Sequence, residues 1–301
     1  MSDLKMLKNY GDYKKMVEDF LQLSELKKLQ NCPLAPPILH SLNAGGKRLR
    51  PVLTLAFCEA YGGEVKRALP IAAAIELLHT STLIQDDLPC MDDDDMRRGQ
   101  PSCHKKFSES DAVLAASRMA FCAFELIAKA ALPSEKIVRI TQEISACMGA
   151  VYAGQKLDLL HENSAEFASI SPEKILEIYE KKTCALLQAA CVCGAIIATE
   201  TGTENSTEIA IATAKNYALK LGLAFQITDD ILDLTSTAEA LGKPINSDIK
   251  NKKNTYVSAI GLEKSRNTAR KLTAEAIELL DSICDNFFLK NLTENLLNRE
   301  M

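Results

Sequence analysis

Hydrophobic and polar positions along the chain fall into long helical stretches. Within 71–85, Ile71, Ile75, Leu78 and Thr82 recur at helical spacing, and Ile175, Ile178, Leu186 and Ala189 repeat the pattern further on. The prolines cluster at 33–37, 51, 70, 89, 101, 133, 172 and 244, which leaves 102–132, 134–171, 173–243 and 245–301 without one. Segments of that length, rich in Ala, Leu, Ile, Glu and Lys, suit helices. Alternating strand patterns bounded by tight turns are absent, and Gly62-Gly63 lies between two helical patterns where it reads as a helix stop. Residues 184–198 are apolar nearly all round, as in a helix at the centre of a bundle or in a subunit interface. With no internal repeat and no low-complexity linker, the expectation is one all-α domain over 1–301. It comprises about ten helices, with 1–35 as an N-terminal helical segment of the same domain.

Composition adds limits. Apolar residues make up 47% and charged residues 25% of 301, enough to bury a large core. The formal net charge of −5 gives no general pull toward nucleic acid or an anionic membrane, so neither is expected as a partner. The ten cysteines stand mostly inside apolar runs, and Cys191-x-Cys193 has no second pair to complete a zinc site; buried free thiols in a reducing compartment are expected. Residues 1–30 mix lysines with acids and contain no apolar signal core, and 184–198 falls short of a bilayer span. A cytoplasmic protein without integral membrane contact is the expectation, organellar only if a presequence has been removed.

Two acidic clusters change the picture. Six aspartates (Asp86, Asp87, Asp92, Asp93, Asp94 and Asp95) fall within ten residues, directly after an apolar helix and before Arg97-Arg98-Gly99. A lone acidic run is usually a solvated loop. In the second cluster, however, Gln226, Asp229, Asp230 and Asp233 stand at i, i+3, i+4 and i+7 and share one face of an otherwise apolar helix. Carboxylates there are costly without cations. Mg²⁺ takes one or two carboxylates and completes its octahedron with waters and substrate phosphates, so two such clusters read as a metal-mediated grip on a diphosphate. The cations Lys47, Arg48 and Arg50 after Gly45-Gly46, together with Arg97-Arg98, Lys181-Lys182 and Lys243, suggest a second diphosphate held directly. No Ser-His-Asp arrangement, Walker loop or Rossmann fingerprint is present.

Asp86-Asp87-x4-Asp92 with Arg97-Arg98-Gly99 resembles the first aspartate-rich motif of the trans-polyprenyl diphosphate synthases, and Phe225-Gln226-x-x-Asp229-Asp230-Ile231-Leu232-Asp233 resembles their second. Gly45-Gly46-Lys47-Arg48-x-Arg50-Pro51, Gly154-Gln155-x-x-Asp158, Lys182-Thr183, Leu241-Gly242-Lys243-Pro244 and Lys253-x-Thr255-Tyr256 match in the family's order, and Asn298-Arg299-Glu300 looks like its tail. The resemblance implies the isoprenoid synthase type I fold, a helical bundle around a central cavity, in a homodimer. The activity it implies is head-to-tail condensation of isopentenyl diphosphate with an allylic diphosphate (dimethylallyl, geranyl, with farnesyl a further candidate) to farnesyl or geranylgeranyl diphosphate. It makes Asp86, Asp87, Asp92, Asp229, Asp230 and Lys182 catalytic, and gives Asp86, Asp92, Asp229 and Asp233 to three Mg²⁺ ions, with Mn²⁺ as a substitute. By the same resemblance Lys47, Arg50, His79 and Arg98 hold isopentenyl diphosphate, while Arg97, Lys182, Thr183, Gln226, Lys243 and Lys253 hold the allylic diphosphate. Ser81 and Thr82, small residues five and four positions before Asp86, are implied at an open product-tunnel floor, with Phe121 and Phe124 as candidates to close it deeper.

The chain departs from the family pattern at Gln85, Cys184, Lys252 and Ala116-Ser117. A terpene cyclase and a catalytically silent partner subunit are the two rivals. A cyclase would not need the 45–51 segment, and a silent subunit would be expected to have lost aspartates.

Overall fold

The computed structural model describes residues 9–24, 32–162, 170–199, 204–235 and 254–297. The chain is all-α, as expected, and its residues gather into two compact units, Met1–Gln142 with Cys193–Glu200 and Glu143–Val192 with Thr201–Met301.

In the first unit the helices are α1 (Tyr10–Ser24), α2 (Ala35–Asn43), α3 (Leu49–Ala60), α4 (Val65–Asp86), the short α5 (Cys103–Lys106) and α6 (Glu109–Ala128), followed by the start of α7 (Ser134–Glu162). Helix α4 is the spine of this unit. Ile71, Ala72, Ala73, Ala74 and Ile75 are all fully buried, which only a helix covered on every side permits. It begins five residues before Pro70 rather than after it. A proline at the sixth position costs one hydrogen bond, to the carbonyl of the exposed Lys66, and water can take that carbonyl instead. Helix α3 ends as the Gly62-Gly63 signal predicts: Gly62 adopts φ 81° and the amides of Gly62 and Gly63 return to the carbonyls of Glu59 and Cys58, both at 2.8 Å. Ala115 and Ala116 are buried inside an unbroken α6 and Ser117 is exposed, so the departure at 116–117 leaves that helix intact.

The sequence pattern missed a two-residue ribbon. β1 (Met96–Arg97) pairs antiparallel with β2 (Gln100–Pro101), and Arg98 and Gly99 turn between them with φ 52° and 77°. Two successive positive φ angles fit the tight-hairpin geometry that matches strand twist. Strands this short carry no alternation to read.

The second unit holds most of α7, then α8 (Pro172–Tyr179), a π-helical segment Glu180–Cys184, the first half of α9 (Ala185–Ala198, which belongs to the first unit from Cys193 on), the 32-residue α10 (Glu204–Thr235), α11 (Tyr256–Ile260), α12 (Leu262–Leu279) and α13 (Phe287–Leu297). Ile227 and Ile231 of α10 pack with Ile175, Tyr256, Val257 and Ala269. Two stretches, 65–86 and 172–198, are in fact long and apolar enough to span a bilayer, but 72% of each apolar window is buried in protein, as in core helices.

Close helix crossings depend on glycine where the backbones touch. A Cβ on Gly194 of α9 would lie 2.5 Å from the Thr54 carbonyl oxygen and 2.8 Å from Phe57 Cβ. Gly194→Ala should therefore destabilise the protein by about 1–3 kcal/mol, the usual cost of overpacking, read as a lower urea midpoint. An unchanged midpoint would mean the crossing has room to open.

Candidate active site

In the first unit the chemistry begins where α4 ends. Asp86 is its last residue and Asp87 caps it; the chain then folds back so that the Asp92 amide donates to the Asp86 carbonyl at 2.9 Å, and the amides of Met91 and Asp93 to the Leu88 carbonyl at 2.8 and 3.1 Å. This tight loop sorts the six aspartates. Arg97 Nε donates to Asp87 Oδ1 and its Nη2 to Asp94 Oδ2, both at 2.8 Å. Lys105 lies 2.8 Å from Asp95 and 3.9 Å from Asp93. The other two, Asp86 and Asp92, are partly exposed neighbours joined through that backbone bond.

Asp87 is 2% exposed, and burial pushes its carboxyl above the usual range while Arg97 holds it back. It lies beneath Arg97, whose guanidinium donates to it. Among the described residues no three Asp, Glu, His or Cys side chains converge as a ready metal cage. Mg²⁺ does not require one, since one or two carboxylates with waters and phosphate oxygens suffice. The Asp86–Asp92 pair fits that demand.

The basic loop of the same unit is built differently. Gly45 and Gly46 have φ 87° and 123°, and Arg48 φ 53°. Arg98 lies over Gly46, where a Cβ would come within 2.6 Å of its guanidinium carbon, and Arg98 Nη1 donates to the Gly45 carbonyl. Lys47 is exposed; Arg50 Nη1 approaches His79 Nε2 at 3.4 Å. Burial first, and then Arg50 and Arg98, push His79 well below its ordinary pKa. The imidazole is therefore neutral and offers hydrogen bonding rather than charge. Arg48, one of three apparent phosphate cations in the sequence, turns inward instead and is 5% exposed.

In the second unit the stripe on α10 forms as its spacing predicts, but its members differ in exposure. Asp230 and Asp233 are buried, while Gln226 and Asp229 are partly open. Asp230 accepts from the Tyr179 hydroxyl at 2.5 Å and from Gln226 Nε2 at 3.3 Å, and Gln226 Oε1 accepts from Thr183 at 3.2 Å. Tyr179 in turn accepts from the Tyr256 amide at 3.1 Å. Lys182 donates to Asp158. Asp230 is thus a hub that fixes Gln226, and Asp229 is the most open of the three carboxylates.

Lys182 and Thr183 sit in the π-helical segment, a geometry that no residue pattern signalled. Such insertions occur often at functional sites. Gly154 makes it possible: a Cβ there would lie 2.4 Å from the Lys182 nitrogen. One turn further along α7, Asp158 meets the Lys182 side chain, so the Gly154-Gln155-x-x-Asp158 motif holds both backbone and ammonium of one residue. Cys184, a departure from the family pattern, is fully buried, and its Sγ fills the space where a Cβ on Gly222 would come within 2.6 Å.

A model of the polyprenyl synthetase family matches residues 32–286. The chain belongs to the polyprenyl synthetase family. Chloroplastic geranylgeranyl pyrophosphate synthase of Catharanthus roseus is 40% identical over 279 residues, covering 91% of this chain and 74% of that protein. Among solved structures, geranylgeranyl pyrophosphate synthetase from Pyrococcus horikoshii has a TM-score of 0.83 at 28% identity, over 96% of this chain and all of the other. Geranyltransferase from Helicobacter pylori, solved with magnesium and isoprenyl diphosphate, has 0.78 at 32% identity, over 99% and 98%. The activity is prenyl-chain elongation, and these relatives favour neither a cyclase nor a silent subunit.

Some family expectations have a definite place and others do not. Ser81 is fully buried and Thr82 nearly so, their hydroxyls returned to the carbonyls of Leu78 and His79 at 2.7 and 2.8 Å. Phe121, expected to plug a tunnel, is 69% exposed, because it lies on the outer face of α6 with Val113 and Leu114. Lys243, Lys252, Lys253 and the segments 241–244 and 298–300 lie outside the described residues.

The π segment yields a direct test. Gly154→Ala should displace Lys182 and Thr183 and lower kcat/KM for the allylic substrate by roughly a hundredfold, as a misplacement of about 1 Å can, with helical circular dichroism retained. Near-normal kcat/KM would show that Lys182 tolerates the shift.

Proposed function

We propose that this chain condenses isopentenyl diphosphate with an allylic diphosphate in a magnesium-dependent head-to-tail reaction, with geranylgeranyl diphosphate as the product. The observation that carries the reading is the folded-back loop that makes neighbours of the partly exposed Asp86 and Asp92 through a backbone hydrogen bond.

In this reading Asp86, Asp92, Asp229 and Asp233 are assigned by their motifs to the magnesium that grips the allylic diphosphate. Bound Mg²⁺ would act as a Lewis acid, compensating charge on the diphosphate as it departs. Lys182, Thr183, Gln226 and Arg97 meet the same group, Lys182 as a point charge and Gln226 as an amide aimed by Asp230. Lys243 and Lys253 are assigned there by motif alone. Lys47, Arg50 and Arg98 hold isopentenyl diphosphate, and neutral His79 orients Arg50. The allylic C–O bond breaks with its electron pair on the diphosphate. The isopentenyl double bond attacks the cation, and the released diphosphate takes the proton. No side chain is required as base.

Geranylgeranyl diphosphate is favoured over the C15 product by the names of the relatives and by the small residues at 81 and 82. A homodimer is supported by the exposed Val113, Leu114 and Phe121 on α6, a face suited to a second copy and readable by sedimentation. A cytoplasmic location is part of this proposal. Plant relatives carry a chloroplast address in their names, and organelle import is the alternative that fractionation decides.

Two outcomes test the proposal. Asp86→Ala and Asp229→Ala should each lower kcat by roughly two to three orders of magnitude, comparable to losing an electrostatic stabiliser, and a chelator should abolish turnover until Mg²⁺ is restored. Turnover that survives chelation would sink the metal reading. Ser81→Tyr should shorten the product toward C15, read by chromatography of radiolabelled products, because a ring has no space in a fully packed position except at the expense of the prenyl chain. An unchanged product in a folded variant would place the length determinant elsewhere.

A further inference from the structure

Arg48 is buried, yet it stands between two residues assigned to a diphosphate. It holds a left-handed backbone, φ 53° and ψ 34°, at the N-cap of α3. That conformation is disfavoured for a non-glycine residue and persists only where its surroundings over-determine it. The surroundings are specific. Nη1 donates to Glu76 Oε1 at 2.6 Å and Nη2 to the Leu42 carbonyl at 2.6 Å, while Nε lies 3.6 Å from Glu18 of α1. Glu76 is 1% exposed, and its second oxygen is buried with no hydrogen-bond partner among the described residues.

A buried ion pair with an orphaned oxygen is a poor way to gain stability, since apolar residues of similar volume often do as well or better. What it does supply is position. The left-handed turn at residue 48 sends one side chain inward while its neighbour Lys47 stays exposed and Arg50 meets His79. The Tyr10 hydroxyl, donating to the Lys47 carbonyl, braces the loop from α1.

We propose that Arg48 and Glu76 are positioning residues for the isopentenyl diphosphate loop: their pair locks residue 48 in the left-handed turn that presents Lys47 and Arg50, and so governs affinity for the homoallylic substrate and not for the allylic one. This rests on the assignment of Lys47 and Arg50 given above.

The experiment compares Glu76→Gln, the double variant Arg48→Met/Glu76→Met, and Arg50→Ala as reference. It reads KM for each substrate, the urea midpoint, and hydrogen exchange of amides 46–50. Glu76→Gln and the double variant should raise KM for isopentenyl diphosphate about tenfold, short of the roughly hundredfold that a full misplacement can cost, with allylic KM changed by less than about twofold. Loop amides should exchange faster. The double variant should recover the wild-type urea midpoint while its KM stays high, an outcome that a merely structural pair would not produce. Recovery of KM together with stability, or unchanged KM with unchanged exchange, overturns the proposal. If Arg50→Ala spares isopentenyl diphosphate while Glu76→Gln still loosens the loop, the substrate assignment fails and the positioning of the loop stands.

Discussion

Carboxylates crowded at the carboxyl end of a helix are the constraint around which this protein is arranged. The helix dipole is negative there, and each added acid is unfavourable by about 0.3–1 kcal/mol. Helix α4 ends on Asp86 and is capped by Asp87, and α10 carries Asp229, Asp230 and Asp233 in its last two turns; neither has a basic residue in its last turn. The remedies are local and different. At α4 the chain folds back and brings Arg97 and Lys105 onto four of the aspartates. At α10 a tyrosine hydroxyl and a glutamine amide take Asp230. In both places some carboxylates are held by ion pairs or hydrogen bonds and others stay partly exposed to water, an arrangement that suits a hydrated divalent cation.

Much of this was legible in the sequence. The i, i+3, i+4, i+7 spacing of Gln226, Asp229, Asp230 and Asp233 needs only a continuous helix to become one stripe, and α10 runs unbroken through them. Helical content followed from proline spacing, and the stop at Gly62 from its freedom at positive φ. What could not be read was which member of a like-charged set turns inward. Asp86 and Asp87 are adjacent and chemically identical, yet one is partly exposed and the other lies under Arg97. Lys47 and Arg48 divide in the same way. That choice is made by backbone angles and by partners as distant in sequence as Glu76, not by residue type. The π segment was hidden for a related reason. It inserts one residue into a helical pattern without altering composition, and its only trace was a glycine at 154, more than twenty residues away.

The basic loop has the opposite electrostatic problem. Arg48, Arg50, Arg97 and Arg98 all bear on His79 and disfavour its protonation. Arg98 is itself pulled down by burial, which Glu76 only partly offsets. A neutral imidazole is the one form of this side chain that can sit among guanidinium groups and still accept a hydrogen bond from Arg50. Histidine here lends geometry to a cationic site without adding to its self-repulsion.

Within the first unit, then, one cluster is held with surplus negative charge and another with surplus positive charge, and each is costly by itself. A folded protein that keeps such surpluses gives up stability that apolar or self-neutralising residues would have provided. The loss is conditional, because a ligand that binds only the folded state stabilises it by an amount that grows with its concentration. Cations at the aspartates and a diphosphate at the arginines would each offset part of that like-charge repulsion. Arg48 and Asp87 meet the same problem from inside the fold, the one held by Glu76 and the Leu42 carbonyl and the other by Arg97.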